Sequence, residues 1–176
     1  MPKLTPVEWA RRVRAERDNR RQESADARAL ARLDRLGPDW FLVDLPPGPG
    51  FLAIGPGGTY AVTVADHGRS RVLIVGDTVQ IGGRRPPHVI DARLTARRTA
   101  EALSAALGRA VPVTPVLTFI GSGVISFHGL PRECLIATDR ELDRLLLAGG
   151  ARLSPATVRK IADLAEEQSR AWSAGR

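Results

Sequence analysis

The side chains in this chain best suited to chemistry are basic. Arg11, Arg12, Arg14, Arg17, Arg20 and Arg21 crowd one N-terminal stretch. Arg69, Arg71, Arg84 and Arg85 flank a predicted hairpin, and Arg93, Arg97 and Arg98 follow it. A guanidinium stays charged and presents a planar fork of donors, so such clusters suit phosphate oxygens. Bound along a nucleic-acid backbone they displace counterions, and the binding weakens steeply with salt. The N-terminal run also has an ordinary reading as a solvated helix. There Glu16, Asp18, Glu23 and Asp26 pair with Arg12, Arg20, Arg21 or Arg28 at helical spacing. Arg84 and Arg85 likewise have a plain reading as the close of a hairpin. No aromatic residues interleave the hairpin arginines, which argues against a platform that stacks single-stranded bases.

Other reactive residue types carry less. Cys134 is the only cysteine, so no intramolecular disulfide forms, and its apolar setting, Cys134-Leu135-Ile136-Ala137, reads as a buried, inert thiol. Ser122 stands between two glycines without the strand-to-helix context of a nucleophile elbow. Gly55-Pro56-Gly57-Gly58 joins two strands, opens no helix and lacks the Lys-Ser/Thr of a phosphate-binding loop. His67, His88 and His128 are not at metal-ligand spacing.

The 176 residues suit one domain, and the 43% hydrophobic share is enough for a core. Aromatics make up only 5%, so aliphatic residues do the packing. Lys+Arg exceed Asp+Glu by 26 to 19, a net +7, and Lys3 and Lys160 are the only lysines. Such arginine bias in an Ala-, Gly- and Pro-rich chain points to a high-GC, actinobacterial genome, which alone accounts for part of it. The charged N-terminus lacks the apolar core of a signal peptide, and no apolar run approaches bilayer length. A cytoplasmic protein with no membrane partner is expected.

The elements that position these residues follow from pattern. Residues 5–36 predict one long helix, with a break near Asn19 allowed. Thr5-Pro6 and Glu8 make its cap, Gly37-Pro38 its end, and Ala27, Leu30, Leu33 and Leu36 its apolar stripe. Short strands are predicted at 40–45, 51–54, 59–65, 71–75 and 78–81, with a stiff Pro/Gly loop at 46–50 and turns at 55–58, 66–68 and 76–77. A helix over 88–107 buries Leu103 and Leu107. The apolar run 113–120 reads as a strand covered on both faces. A short extension at 125–128, a last strand at 134–137, a helix over 139–147 capped by Thr138, and a final helix 156–172 opened by Ser154-Pro155 complete the set. This order predicts an α/β (α+β) domain: a mixed central sheet flanked by helices on both faces.

Within that order Ile54-Gly55-Pro56-Gly57-Gly58-Thr59-Tyr60-Ala61-Val62 resembles the strand-turn-strand of the nuclease-related domain (NERD) family. Gly68–Gly83 resembles that family's hairpin, Val113–Gly121 its buried strand, and Arg152–Leu164 its closing helix. Together these pieces cover residues 23 to about 165. The resemblance implies a restriction-endonuclease-like fold. Active members set an acidic residue on one strand and Glu-x-Lys on the next. Two carboxylates hold Mg²⁺, and the lysine stabilises developing charge. Carried onto this chain, the Asp position falls on Gly50, the Glu on Thr63 and the Lys on Ala65. The family's helical Glu corresponds to Glu23. Asp44 and Asp66 are the candidates for displaced carboxylates, with His67 able to add a nitrogen. Strand alternation turns Asp66 away from the face of Thr63 and Ala65.

The expectation is therefore a catalytically degenerate domain, 23–170, with a charged helical extension, 1–22, and a disordered tail, 171–176. It would bind DNA or RNA phosphates through Arg69, Arg71, Arg84, Arg85, Arg93 and Arg97, without cofactor or metal. Two alternatives stand beside it. One is a protein-interaction domain that uses helix 5–36, with Trp9 and Val13, to dock a partner or a second copy. The other is a residual Mg²⁺-dependent nuclease.

Overall fold

The computed structural model describes residues 5–45 and 50–175. The expected Pro/Gly loop, Gly50 apart, lies outside them.

Helix α1, Pro6–Leu33, begins at a capping box. Glu8 N–H donates to Thr5 Oγ1 at 3.3 Å, and Thr5 N–H donates to Glu8 Oε2 at 2.8 Å. The helix runs unbroken through Asn19 and ends in a 3₁₀ turn, Asp34–Leu36. Its buried stripe is Ala25, Ala29 and Leu33, continued by Leu36, whereas Ala27 and Leu30 are exposed. The expected stripe at spacing three is corrected here. At 3.6 residues per turn a step of three slips about 60° around the axis, so steps of three and four must combine to hold one face.

Strands β1 (Phe41–Asp44), β2 (Gly50–Gly55) and β3 (Gly58–Ala65) form an antiparallel meander. β4 (Val72–Val75) and β5 (Thr78–Ile81) form a hairpin, and helix α2 spans His88–Leu107. β6 (Thr114–Phe119) then lies parallel to β3, and β8 (Leu135–Thr138) parallel to β6. The main sheet thus has the order β1-β2-β3-β6-β8. The stretch expected as a short extension is β7 (Ile125–Phe127). It pairs with β4, so β5-β4-β7 form a separate small sheet. Helices α3 (Leu142–Leu147) and α4 (Pro155–Ala174) close the chain.

Two helix boundaries differ from expectation. Thr138 ends β8 and caps nothing; Glu141 stands at the N-cap of α3 and makes no side-chain cap bond. α4 continues to Ala174, through most of the stretch expected as a tail.

Alternation along β2 and β3 sorts the core into two layers. Phe51, Ala53, Val62 and Val64 pack under α1 and α3, with Ala25, Ala29, Leu33, Leu142 and Leu146. Leu52, Ile54 and Ala61 face the other way, among Leu103 of α2 and Val158, Ile161 and Ala165 of α4. Each fully buried leucine or isoleucine here contributes about 2 kcal/mol. A third cluster joins the small sheet (Val72, Ile74, Val79, Ile81) to the start of α2 (Val89, Ala92) and to Ala65, Leu117 and Phe119. Arg32 of α1 ties down α3: its Nε donates to Asp143 Oδ1 at 2.7 Å, and the pair is mostly buried. Among the described residues no helix is long and apolar enough to cross a membrane.

Candidate functional site

β3 ends at Ala65, and just there α1 passes over one face of the sheet while α2 begins under the other. The junction leaves a cavity of about 420 Å³. Its walls are Gly50 of β2, Thr63 to Ala65 of β3, Asp66 and His67 beyond the strand, His88, Asp91, Ala92 and Thr95 of α2, and Gln22 of α1. Gln22 Nε2 donates to the Val64 carbonyl at 3.5 Å and to Asp26 Oδ1 at 2.8 Å, which fixes α1 over the strand end.

The three positions where the resemblance carries the family's catalytic residues meet in this cavity. Gly50 and Thr63 are paired across β2 and β3. Thr63 Oγ1 donates to the Val116 carbonyl at 3.2 Å, and Ala65 is buried against the third core cluster. None of the three offers a carboxylate, so this set does not fit Mg²⁺, which wants hard oxygen ligands. Gly50 could not carry a side chain in place: a Cβ there would stand 2.7 Å from the Val62 carbonyl oxygen.

The displaced candidates fall in two places. Asp66 lines the cavity beside Thr63 and Ala65. Val64, whose side chain packs in the opposite core layer from Ala65, lines it as well, so both faces of the strand end border the cavity. Asp66 Oδ1 accepts from Gly68 N–H at 2.8 Å, closing the turn. Asp44 is exposed on β1, outside the cavity wall, in electrostatic reach of Asp26. Burial, and secondarily the neighbouring charges of Asp44 and Glu23, raise the Asp26 carboxyl above its usual range, against the Gln22 hydrogen bond. Glu23 is exposed on α1. Among the described residues no group of three or more His, Cys, Asp or Glu side chains is placed to hold a metal ion together.

What the sequence spacing did not reveal is a histidine pair. His67 Nε2 and His88 Nε2 stand 2.7 Å apart, brought together from opposite ends of a 21-residue separation. Their rings lie at 54°, and His88 meets Phe119 edge-on at 6.2 Å. Desolvation lowers both imidazoles below the ordinary histidine range; the neighbouring His67 lowers His88 further, and Arg21 lowers His67. One Nε2 carries the proton and the other accepts it. Nothing in one-dimensional spacing signals this pair.

The six arginines expected at the cleft do not line this cavity. Arg69, Arg71, Arg84 and Arg85 are exposed on the loops around the β4–β5 hairpin. Ile81 and Arg84 exchange two backbone hydrogen bonds at 2.9 Å, so this segment is a tight turn. Arg93 and Arg97 line a different cavity, with Glu133, Cys134 and Leu135. The Arg93 guanidinium grips Asp77 with two hydrogen bonds, at 2.7 and 2.8 Å, and also donates to the Arg132 carbonyl. Arg93 is thereby occupied within the chain, which removes it as a free phosphate ligand. Cys134 is buried, and desolvation pushes its thiol up to about 11, so the thiolate nucleophile is scarce.

The arginines of α1 are placed otherwise. From Thr5 to Arg21 every residue is exposed except the half-buried Val13. Of the ion pairs expected along this helix only Arg12–Glu16 forms, at 3.6 Å. Arg28 reaches Asp139 instead, at 2.6 Å. Among the described residues Arg11, Arg14, Arg17, Arg20 and Arg21 have no ion-pair partner.

Compared with family models, with curated proteins and with solved structures, the chain matches none.

Proposed function

We propose that the chain is a nuclease-related domain of the restriction-endonuclease-like class that has lost its metal-binding residues and binds the phosphate backbone of nucleic acid. The observation that carries the reading is the row of unpaired arginines on α1. Arg11, Arg14 and Arg21 continue the helix face that packs on the sheet at Ala25 and Ala29. That face leads to Gln22 and the cavity wall. The arginines thus approach the one cavity in which Gly50, Thr63 and Ala65 meet. The register of Gly50 opposite Thr63 supports the family alignment, since it brings the two positions into one place. The mixed sheet with helices on both faces suits the same class.

A duplex laid along α1 would meet guanidinium groups that lose little by leaving the protein's own carboxylates. Duplex is favoured over single strand, because base stacking needs aromatic rings that this surface does not interleave. The role of Arg69, Arg71, Arg84, Arg85 and Arg97 in this reading is secondary: exposed charges that steer approach.

A second reading has its own observation. Trp9 and Val7 are each 61% exposed on α1. An exposed tryptophan on a projecting helix also suits docking against a protein or a second copy.

Fluorescence anisotropy of a labelled duplex, at several salt concentrations with Mg²⁺ present, tests the proposal. Binding that falls steeply with salt is the expected result. Decay of the signal with time would mean cleavage and would overturn the loss of catalysis. No binding at low salt would overturn the phosphate reading and leave the docking helix.

A further inference from the structure

We infer that His67 and His88 form a two-imidazole site for a borderline divalent transition ion, of which Zn²⁺ is the type. The inference does not rest on the nucleic-acid reading. It rests on where the two rings are held. His67 sits in the turn after β3, closed by the Asp66–Gly68 hydrogen bond, and His88 is the first residue of α2. Two separate elements thus aim Nε2 atoms at one point, 2.7 Å apart, on the wall of a cavity.

That geometry is close to chelation. Two nitrogens on a tetrahedral zinc, each about 2.0–2.1 Å from the metal, lie roughly 3.3 Å from one another. For an ion to replace the shared proton the nitrogens must part by about 0.6 Å and the rings tilt so that their lone pairs converge near the tetrahedral angle. The proton on Nε2 leaves to solvent, and both Nε2 lone pairs become ligands. The cavity beyond the rings leaves room for water at the remaining positions. Imidazole nitrogen selects Zn²⁺, Co²⁺, Ni²⁺ or Cu²⁺ over Mg²⁺ and Ca²⁺, which prefer oxygen.

Titration of the full chain with Co²⁺, followed by visible absorption, and with Zn²⁺, followed by calorimetry, tests the inference. One equivalent should bind, with Zn²⁺ displacing Co²⁺ and Mg²⁺ displacing neither. His67→Gln and His88→Gln should each weaken binding by more than roughly tenfold, the loss that even an outer-shell partner causes. His128→Gln, at an exposed position, should leave it unchanged. Absence of a Co²⁺ band, or binding that survives both glutamine variants, overturns the inference. Should those variants not fold, imidazole ¹⁵N shifts of the wild-type protein decide. Zn²⁺ must move the Nε2 resonances of His67 and His88 but not those of His128; unmoved resonances overturn the site.

Discussion

Gly50 faces Thr63 directly across the β2–β3 ladder, and the missing side chain at Gly50 is required by the Val62 carbonyl beside it. The position to which the family resemblance assigns a metal-binding Asp is thus closed to any Cβ at the present backbone spacing. Gly50→Ala should cost about 1–3 kcal/mol, the usual range for overpacking, read as a drop in the urea midpoint. Ala65→Lys should cost more. Ala65 is 5% exposed among Leu117, Phe119 and Val89, and the carboxylate next to it, Asp66, already accepts from Gly68 N–H. An ammonium buried there without a partner costs several kcal/mol. Reinstating Asp, Glu and Lys together should still destabilise the domain, because the clash of any Cβ at Gly50 with the Val62 carbonyl remains even where the carboxylates partner the ammonium. A triple variant as stable as the wild-type chain would contradict this account.

The arginine row predicts a specific salt response. In the triple variant Arg14→Gln, Arg17→Gln, Arg21→Gln, the slope of log affinity against log salt should fall by about 0.9 for each phosphate that is no longer neutralised. Far-UV circular dichroism should be unchanged, since these side chains are exposed. An unaltered slope would show that α1 does not hold the phosphates.

Asp77 joins three parts of the fold: its carboxylate accepts from Arg93 of α2 and from Arg132 N–H, while its backbone forms the β4–β5 turn. The Arg93 hydrogen bonds, then that of Arg132, hold its pKa at about 2, below the ordinary 3.8. The sign follows directly. The unfolded chain takes up the proton first as pH falls, so the pair's contribution is complete above the ordinary value and is lost on the way down to about pH 2. Asp77→Asn should lower stability at neutral pH and flatten the acid limb. Parallel acid limbs for the two proteins, from urea melts at stepped pH, would count against it.

Thr118 is fully buried in β6, and among the described residues its hydroxyl has no hydrogen-bond partner. Thr118→Val keeps the shape and the branched Cβ suited to a strand while removing a desolvated polar atom. A gain of about 1 kcal/mol is expected in denaturant melts. A loss would reveal an acceptor for that hydroxyl in solution.

Local chemistry made much of the fold legible in the sequence. Thr5, Pro6 and Glu8 start α1 because the cap satisfies orphan backbone donors within one turn, and Ser154-Pro155 starts α4 in the same way. Gly76-Asp77 turns the β4–β5 hairpin, and the apolar run at 114–119 became a strand covered on both faces. Such signals act over a few residues, so one sequence suffices to read them. The composition likewise fixed the uncompensated positive charge.

Tertiary structure decided the rest. The stripe of α1 fell on Ala25, Ala29 and Leu33 because the sheet, with its own alternation, chose which face it would cover. β7 left the main sheet because β4 offered a free parallel edge. Arg93 turned from surface charge into a tie because Asp77 lay within reach from a turn sixteen residues earlier. His67 and His88 became neighbours only when the end of β3 and the start of α2 closed on one cavity. Contacts of this kind depend on how whole elements pack, and no spacing along the chain encodes which distant side chains that packing will bring together.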